Sequence, residues 1–322
     1  RAELLTDWNF VATGDVYAAA RVQGAVRVGG DLYVQNTFEA AAKAGSPDKA
    51  NPSLLVGGNV IVKNANPETI KVLQGDAVIG GTINGSTDLK SRVVSPRDGG
   101  TLAFDPTASG IAKADYQQLK YDSRAFAAME GGDQTIYLST KQVDAAKFTV
   151  DAVDSFGNAV FNVDGERLFE NSLVRGFTLD LNGFTFEEGQ SVIFNVSGSD
   201  IAFRNGLNFD GAFRTAASNI IWNFFEASLL DLNRNDFYGS LLAPDALLTT
   251  ANSMYGSVFV RDFGSKDANG VNAAVNLPSY LGYDPSRRVA ATPEPASLAM
   301  AGVASAAGAA YGFRRRRRSR AL

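Results

Sequence analysis

Short apolar runs broken by glycine pairs dominate the first ninety residues. Gln23-Gly24-Ala25-Val26-Arg27-Val28-Gly29-Gly30-Asp31-Leu32-Tyr33-Val34 returns as Leu55-Val56-Gly57-Gly58-Asn59-Val60-Ile61-Val62, and again as Gln74-Gly75-Asp76-Ala77-Val78-Ile79-Gly80-Gly81-Thr82-Ile83. Val, Ile and Leu alternating with other residues predict β-strands, and a Gly pair between two runs predicts a turn or bulge. The pairs recur after 28 and then 23 residues, the scale of one coil of a solenoid. Inserts such as residues 39–52 then belong on one side of the stack. A second phrase, Phe237-Tyr238-Gly239-Ser240-Leu241-Leu242-Ala243, returns seventeen residues later as Met254-Tyr255-Gly256-Ser257-Val258-Phe259-Val260. Between the two regions, Phe177-Leu179-Leu181, Val192-Phe194-Val196 and Ile220-Trp222-Phe224 alternate as half-buried strands do. Residues 112–129 break the pattern. They hold no Gly or Pro, and Tyr116, Leu119, Phe126 and Met129 recur at roughly helical spacing before Gly131-Gly132, which predicts one amphipathic helix.

These elements predict an all-β body over residues 1–285, a β-solenoid of the parallel β-helix kind with coils stacked in one direction and one long α-helix packed alongside. A different organisation begins at residue 286: a linker to 295, an uncharged segment over 296–313 and a basic cluster over 314–320. Eighteen helical residues span roughly 27 Å, enough for the hydrocarbon core of a bilayer, so 296–313 is expected to form a single membrane-spanning helix. Arg314, Arg315, Arg316, Arg317, Arg318 and Arg320 would hold its end in the cytoplasm and set the topology.

Composition narrows the chemistry. The 322 residues include no Cys and no His, which removes disulfides, thiolate sites, the usual general base and the commonest metal ligand. The net charge is −4, but setting aside the six terminal Arg leaves 24 basic against 34 acidic residues, a net of −10. An acidic body disfavours nucleic acid, whose phosphates need Lys and Arg. Residues 1–11 contain no apolar stretch, so the N-terminus is expected to be either processed or a fragment, and export is not argued against.

Pro293, Glu294 and Pro295, followed by the apolar segment and the Arg cluster, closely resemble the PEP-CTERM sorting signal of Gram-negative bacteria. The resemblance implies an exosortase-type membrane enzyme as partner, a transient stop in the inner membrane, and cleavage near the motif on the way to the cell surface or extracellular matrix. The alternative is a plain tail anchor. The body also resembles a family, the choice-of-anchor A domain, from about Leu5 to Tyr283. The carrying residues are Trp8-Asn9-Phe10 with Gly14-Asp15, the Val-Gly-Gly repeats, the central helix, Phe194-Asn195-Val196-Ser197-Gly198, Ile221-Trp222-Asn223-Phe224 with Glu226-Ala227, and Gly239-Ser240-Leu241-Leu242-Ala243-Pro244. This resemblance implies an extracellular, adhesive or structural role with no catalytic residues. The family's late region often carries His, which this chain lacks, so no metal site is carried over.

Candidate chemistry is sparse. No Walker Lys follows the Gly pairs, and Asp180-Leu181-Asn182-Gly183 lacks the acidic twelfth position of a calcium loop, so it is expected to be a turn. Glu187, Glu188, Asp231, Asp236 and Asp245 are carboxylates that could pair for glycoside cleavage, or simply be solvated turn residues. Asn195 and Asn223 are expected to form an internal Asn ladder or to cap a turn. Tyr33, Tyr238 and Tyr255 could stack on sugar rings or pack at a seam. An ice-binding face would need regular Thr rows, and Thr249-Thr250 alone does not supply them. The expectation is a non-enzymatic surface or matrix protein with no cofactor and no metal, touching extracellular polysaccharide or another cell surface. The alternative is a polysaccharide-binding module or a carboxylate-based polysaccharide-degrading enzyme.

Overall fold

The computed structural model describes residues 3–17, 21–42, 52–88, 92–132, 134–264 and 273–289. One compact unit ends at Asp284, and the helix Pro285–Val289 belongs to a second that starts at Pro285.

The first unit is a parallel β-solenoid whose coils have three faces, here a, b and c. In the N-terminal half the first coil is β1 (Phe10–Ala12), β2 (Val16–Tyr17) and β3 (Arg21–Val22). The second is β4 (Val26–Val28), β5 (Leu32–Val34) and β6 (Phe38–Ala40); the third is β7 (Leu54–Val56), β8 (Val60–Val62) and β9 (Ile70–Val72). Then β10 (Ala77–Ile79), β11 (Val94–Pro96) and β12 (Leu102–Phe104) end this half. Each strand pairs in parallel with its counterpart one coil away: Phe10 faces Val26, Val26 faces Leu54, and Leu54 faces Ala77. The Gly pairs are the corners between faces a and b, where successive coils press backbone on backbone. A Cβ on Gly57 would lie 2.6 Å from the Gly29 carbonyl, and one on Gly80 2.2 Å from that of Gly57.

The C-terminal half begins with the hairpin of β13 (Thr135–Tyr137) and β14 (Asp144–Thr149), followed by β15 (Ala159–Asp164) and β16 (Val174–Asp180). It continues through β17 (Val192–Ser197), β18 (Asp200–Ala202), β19 (Asn208–Gly211), β20 (Ile220–Asn223), β21 (Leu229–Asp231) and β22 (Phe237–Tyr238). The last strands are β23 (Ser240–Thr249), β24 (Met254–Tyr255), β25 (Val258–Phe263) and β26 (Ala274–Asn276). Face a runs β12-β10-β7-β4-β1-β25-β23-β20-β17-β15. Face c combines β11-β9-β6-β3-β26-β24-β22 with the sheet β13-β14-β16-β19.

That order corrects the expectation that coils follow one another along the chain. The first coil lies in the middle of the stack, where β1 pairs β25 and β3 pairs β26. The chain winds out from the centre to β12, returns along the stack, and winds back to the centre from β15. Both halves advance in the same axial direction, so both wind with one hand. The return is made by the long helix α2 (Ile111–Ala127), which runs from the N-terminal coils to β17 and β20, with the short helix α1 (Leu4–Asp7) beside it. It begins after a tight turn over Pro106–Gly110 capped by Asp105 and ends four residues before the Gly131 pair.

Inside the coils the first half is filled by Val, Leu and Ile, and the second by aromatic rings. Phe161, Phe194 and Trp222 stack from coil to coil with centroids 4.9 and 4.0 Å apart, and Phe148 meets all three edge-on. A second core lies between face a and α2, where Leu119 and Phe126 press on Val160, Ile193, Ile221, Leu242 and Phe259. Each such fully buried side chain stabilises the fold by about 1.5–3 kcal/mol. This second core explains a difference from the sequence pattern. Residues 192–196 and 220–223 are buried on both sides, because the helix covers their outer face. Residues 174–180 keep an exposed side as expected. Glu39, placed in an insert by sequence, belongs to β6 and its side chain meets Lys71 of β9.

No helix among the described residues is long and apolar enough to cross a membrane. The expected spanning segment 296–313, the motif Pro293, Glu294, Pro295 and the six Arg after 313 lie outside the described residues.

Candidate functional site

A solenoid offers its faces, so the question is which outward rows are built for something other than holding coils together. On face a the outward row is consumed by the helix. Arg27 makes two hydrogen bonds to Asp115 of α2, at 2.5 and 3.0 Å, and lies over the Trp8 ring. Asn223 donates to the Ser123 carbonyl and to Asn195 Oδ1, both at 2.9 Å, while Ser123 Oγ donates to Asn223 Oδ1. Asn195 in turn donates to the Phe126 carbonyl at 2.8 Å and to Asn162 at 3.2 Å. The Asn ladder thus exists, but between sheet and helix rather than inside the coils.

The expected carboxylates lie apart. Asp245 receives Tyr116 Oη at 2.8 Å and the Lys120 ammonium; burial raises its pKa, but these bonds outweigh burial and hold it below the usual carboxylate range. Asp231 accepts the Asn233 N–H at 2.8 Å in a turn. Glu187 binds through its backbone to Gln190 and Asn219, and Asp236 is exposed in the loop before β22. Asp180 and Asn182 close the expected turn, with Asn182 and Gly183 at positive φ. Among the described residues no group of three acidic side chains is placed to hold a metal ion. A cleft of about 410 Å³ is lined by Ile136, Leu138, Asn162, Asp164 and Arg167.

The tyrosines settle at seams. Tyr17 and Tyr33 stack at 4.5 Å, and Tyr238 and Tyr255 at 4.6 Å. Arg214 covers the free side of Tyr238 at 4.9 Å. Rings stacked along the axis present edges and hydroxyls outward, so Tyr238 has no face left for a sugar. Face c mixes charges, with Arg21, Glu39 and Lys71 in register on β3, β6 and β9.

Face b differs. Its outer side carries two rows, one residue per coil. The register aligns Asp200, Leu229, Leu247 and Asp262, then Ala202, Asp231 and Thr249 beside them, and Tyr17, Tyr33 and Ile61 further along. At the corner the side chains form a ladder. Asp262 Oδ1 accepts the Asp15 N–H at 2.9 Å, Asp15 Oδ1 that of Asp31 at 2.8 Å, and Asp31 Oδ1 that of Asn59 at 2.6 Å. Asn59 Oδ1 then accepts from Thr82 at 3.0 Å. Burial and the charges of Asp15 and Asp31 push the Tyr33 hydroxyl up to about 12, so it stays a donor. Among the strand residues of this face the one Lys or Arg is Arg261 of β25, which pairs with Asp262. Sequence reasoning quoted Asp15, Asp31 and Asn59 without connecting them. The available signal was that each follows a Gly at the same place in its coil.

No curated protein sequence matches the chain. Among solved structures, an ice-binding protein from the Antarctic ascomycete Antarctomyces psychrotrophicus shares 14% identity over 87% of this chain and 94% of that one, with a TM-score of 0.29. The competence-associated pilin ComZ from Thermus thermophilus shares 10% over 88% and 70%, also at 0.29. Residues 291–317 match the PEP-CTERM protein-sorting motif. Residues 1–272 match the family described as "Putative Ice-binding-like adhesive domain", a choice-of-anchor A-like domain, and the chain belongs to that family.

Proposed function

We propose that this is a non-catalytic adhesive or structural protein of the cell surface or extracellular matrix of a Gram-negative bacterium, delivered there by an exosortase-type enzyme acting at its tail. The carrying observation is the union of an adhesive-family solenoid over residues 1–272 with a sorting motif at 291–317. A solenoid suits this work because regular coils make a stiff rod with long repeating faces. Asp231 held in a turn and Asp245 held by Tyr116 and Lys120, with Asp236 apart in a loop, support a body that turns over no polysaccharide. Face b carries Leu, Tyr, Ile and Asp where ice binding would call for Thr rows, which supports adhesion over ice.

Export then pauses with 296–313 in the inner membrane and the Arg cluster inside, since charged Arg resists translocation. Cleavage near Pro293-Glu294-Pro295 removes all six terminal Arg and leaves a body of net −10, repelled by anionic lipid. With Glu294→Ala, uncut protein should accumulate in the inner membrane while wild type appears shorter at the surface or in the medium. Mass spectrometry of surface material settles it: an intact C-terminus through Leu322 would reduce the tail to a simple anchor.

A further inference from the structure

We propose that face b docks a linear cationic polysaccharide, an amino-sugar polymer with free amino groups, laid along the stack axis over Tyr17, Tyr33 and Ile61 with its ammonium groups against Asp15 and Asp31. The proposal rests on the adhesive reading above and names its partner. Of the three faces, a is covered by α2 and c carries cations in its row and is partly capped by Arg214. Face b is exposed at Leu229 of β21 (41%) and at Ile61 of β8 (37%).

Charge and spacing select the occupant. Neighbouring coils repeat about every 4.8 Å, close to the advance of one pyranose along an extended chain. A straight row with that period fits a linear polymer better than a globular partner. The face carries several carboxylates, and its one cationic strand residue, Arg261, is paired with Asp262, so it favours a polycation and repels acidic polymers. The ladder needs an acceptor at each corner but not a charge, because Asn59 does the same work with an amide. Arg261 already engages Asp262 Oδ2 at 2.6 Å, which leaves Asp15 and Asp31 as the pair for the ligand. The Tyr edges and Ile61 supply apolar contact for ring C–H groups, while the Tyr33 hydroxyl donates to Asp31 Oδ2 at 3.4 Å.

The test is calorimetric titration of the full chain at mildly acidic pH and low salt. The probes are a fully deacetylated glucosamine hexamer, its fully N-acetylated counterpart and a lysine oligomer of equal charge. The deacetylated hexamer should bind most tightly and weaken with salt. Asp15→Asn with Asp31→Asn should weaken it about tenfold while the melting temperature holds, since Asn preserves the ladder; a Glu39→Gln change on face c should not. Ile61→Lys, at an exposed position, gives a second reading that spares the corner and should weaken binding likewise. Equal binding of the N-acetylated hexamer, or full affinity in the double variant, overturns the cationic occupant while glycan adhesion stands. Equal binding of the lysine oligomer assigns the face to basic peptide instead and overturns the sugar. If no glycan of any charge binds, the proposal falls, and the polysaccharide side of the adhesive reading falls with it.

Discussion

Asp122 shows how one residue can carry a pH dependence for the whole body. It lies on α2 with 1% of its surface exposed and accepts one hydrogen bond from Gln118 at 3.0 Å. Burial, and secondarily the charge of Asp284, push its pKa up to about 7. In the unfolded chain it titrates near the ordinary value of about 3.9. Between those values the folded protein holds a proton that the unfolded chain releases. Stability therefore falls as pH rises through that window, by up to about 1.4 kcal/mol per unit. Asp122→Asn keeps an acceptor for Gln118 and removes the charge. Urea midpoints should show the variant gaining on wild type from pH 4 to 7, with the gain level above it. Parallel curves for the two proteins would show that Asp122 does not titrate in this way.

At the scale of elements, the seam between α2 and face a is where polar residues decide the register of helix on sheet. A purely apolar interface would let the helix slide or rotate, since Leu119 and Phe126 would find comparable partners one coil along. The Asn223–Ser123 and Asn195–Phe126 hydrogen bonds and the Arg27–Asp115 pair admit one position only. Asn223→Ala strands the Ser123 hydroxyl and carbonyl and Asn195 Oδ1 in a buried site, which should cost roughly 1–3 kcal/mol in urea denaturation. A loss under about 0.5 kcal/mol would mean that packing alone holds the helix.

The solenoid unit has its first and last strands in the middle of the stack and strands from its interior at the ends. A coil at the end of a stack has one neighbour instead of two, so it opens first. Here the end coils are β12 and the β13–β14 hairpin, both from the interior of the sequence, while β1, β25 and β26 are sandwiched at the centre. Hydrogen exchange read by mass spectrometry should find residues 102–104 and 135–149 exchanging faster than residues 10–12 and 258–263. The reverse order would indicate that the junction between the halves is the weak point.

Local pattern sufficed for the existence of coils, their Gly corners, the helix near 111–127 and the sorting tail, because each depends on a period or motif within a few tens of residues. The alternation Val-x-Val with Gly pairs admits little besides stacked strands, and the change to helical spacing is visible at Tyr116, Leu119 and Phe126. Three features depended on contacts between residues far apart in sequence. The pairing of Phe10 with Val258, which seats the first coil beside the last, has no local signature, because any β edge of this kind can accept any other. The burial of both sides of residues 220–223 followed from where the helix landed. The acidic row of face b, Asp262 to Asp15 to Asp31, joins residues up to 247 apart, and only closure of the stack at its centre brings Asp262 beside Asp15. Sequence by itself determined what each coil is made of; the tertiary structure decided which coil lies next to which, because stacking energy depends on the neighbour and not on chain order.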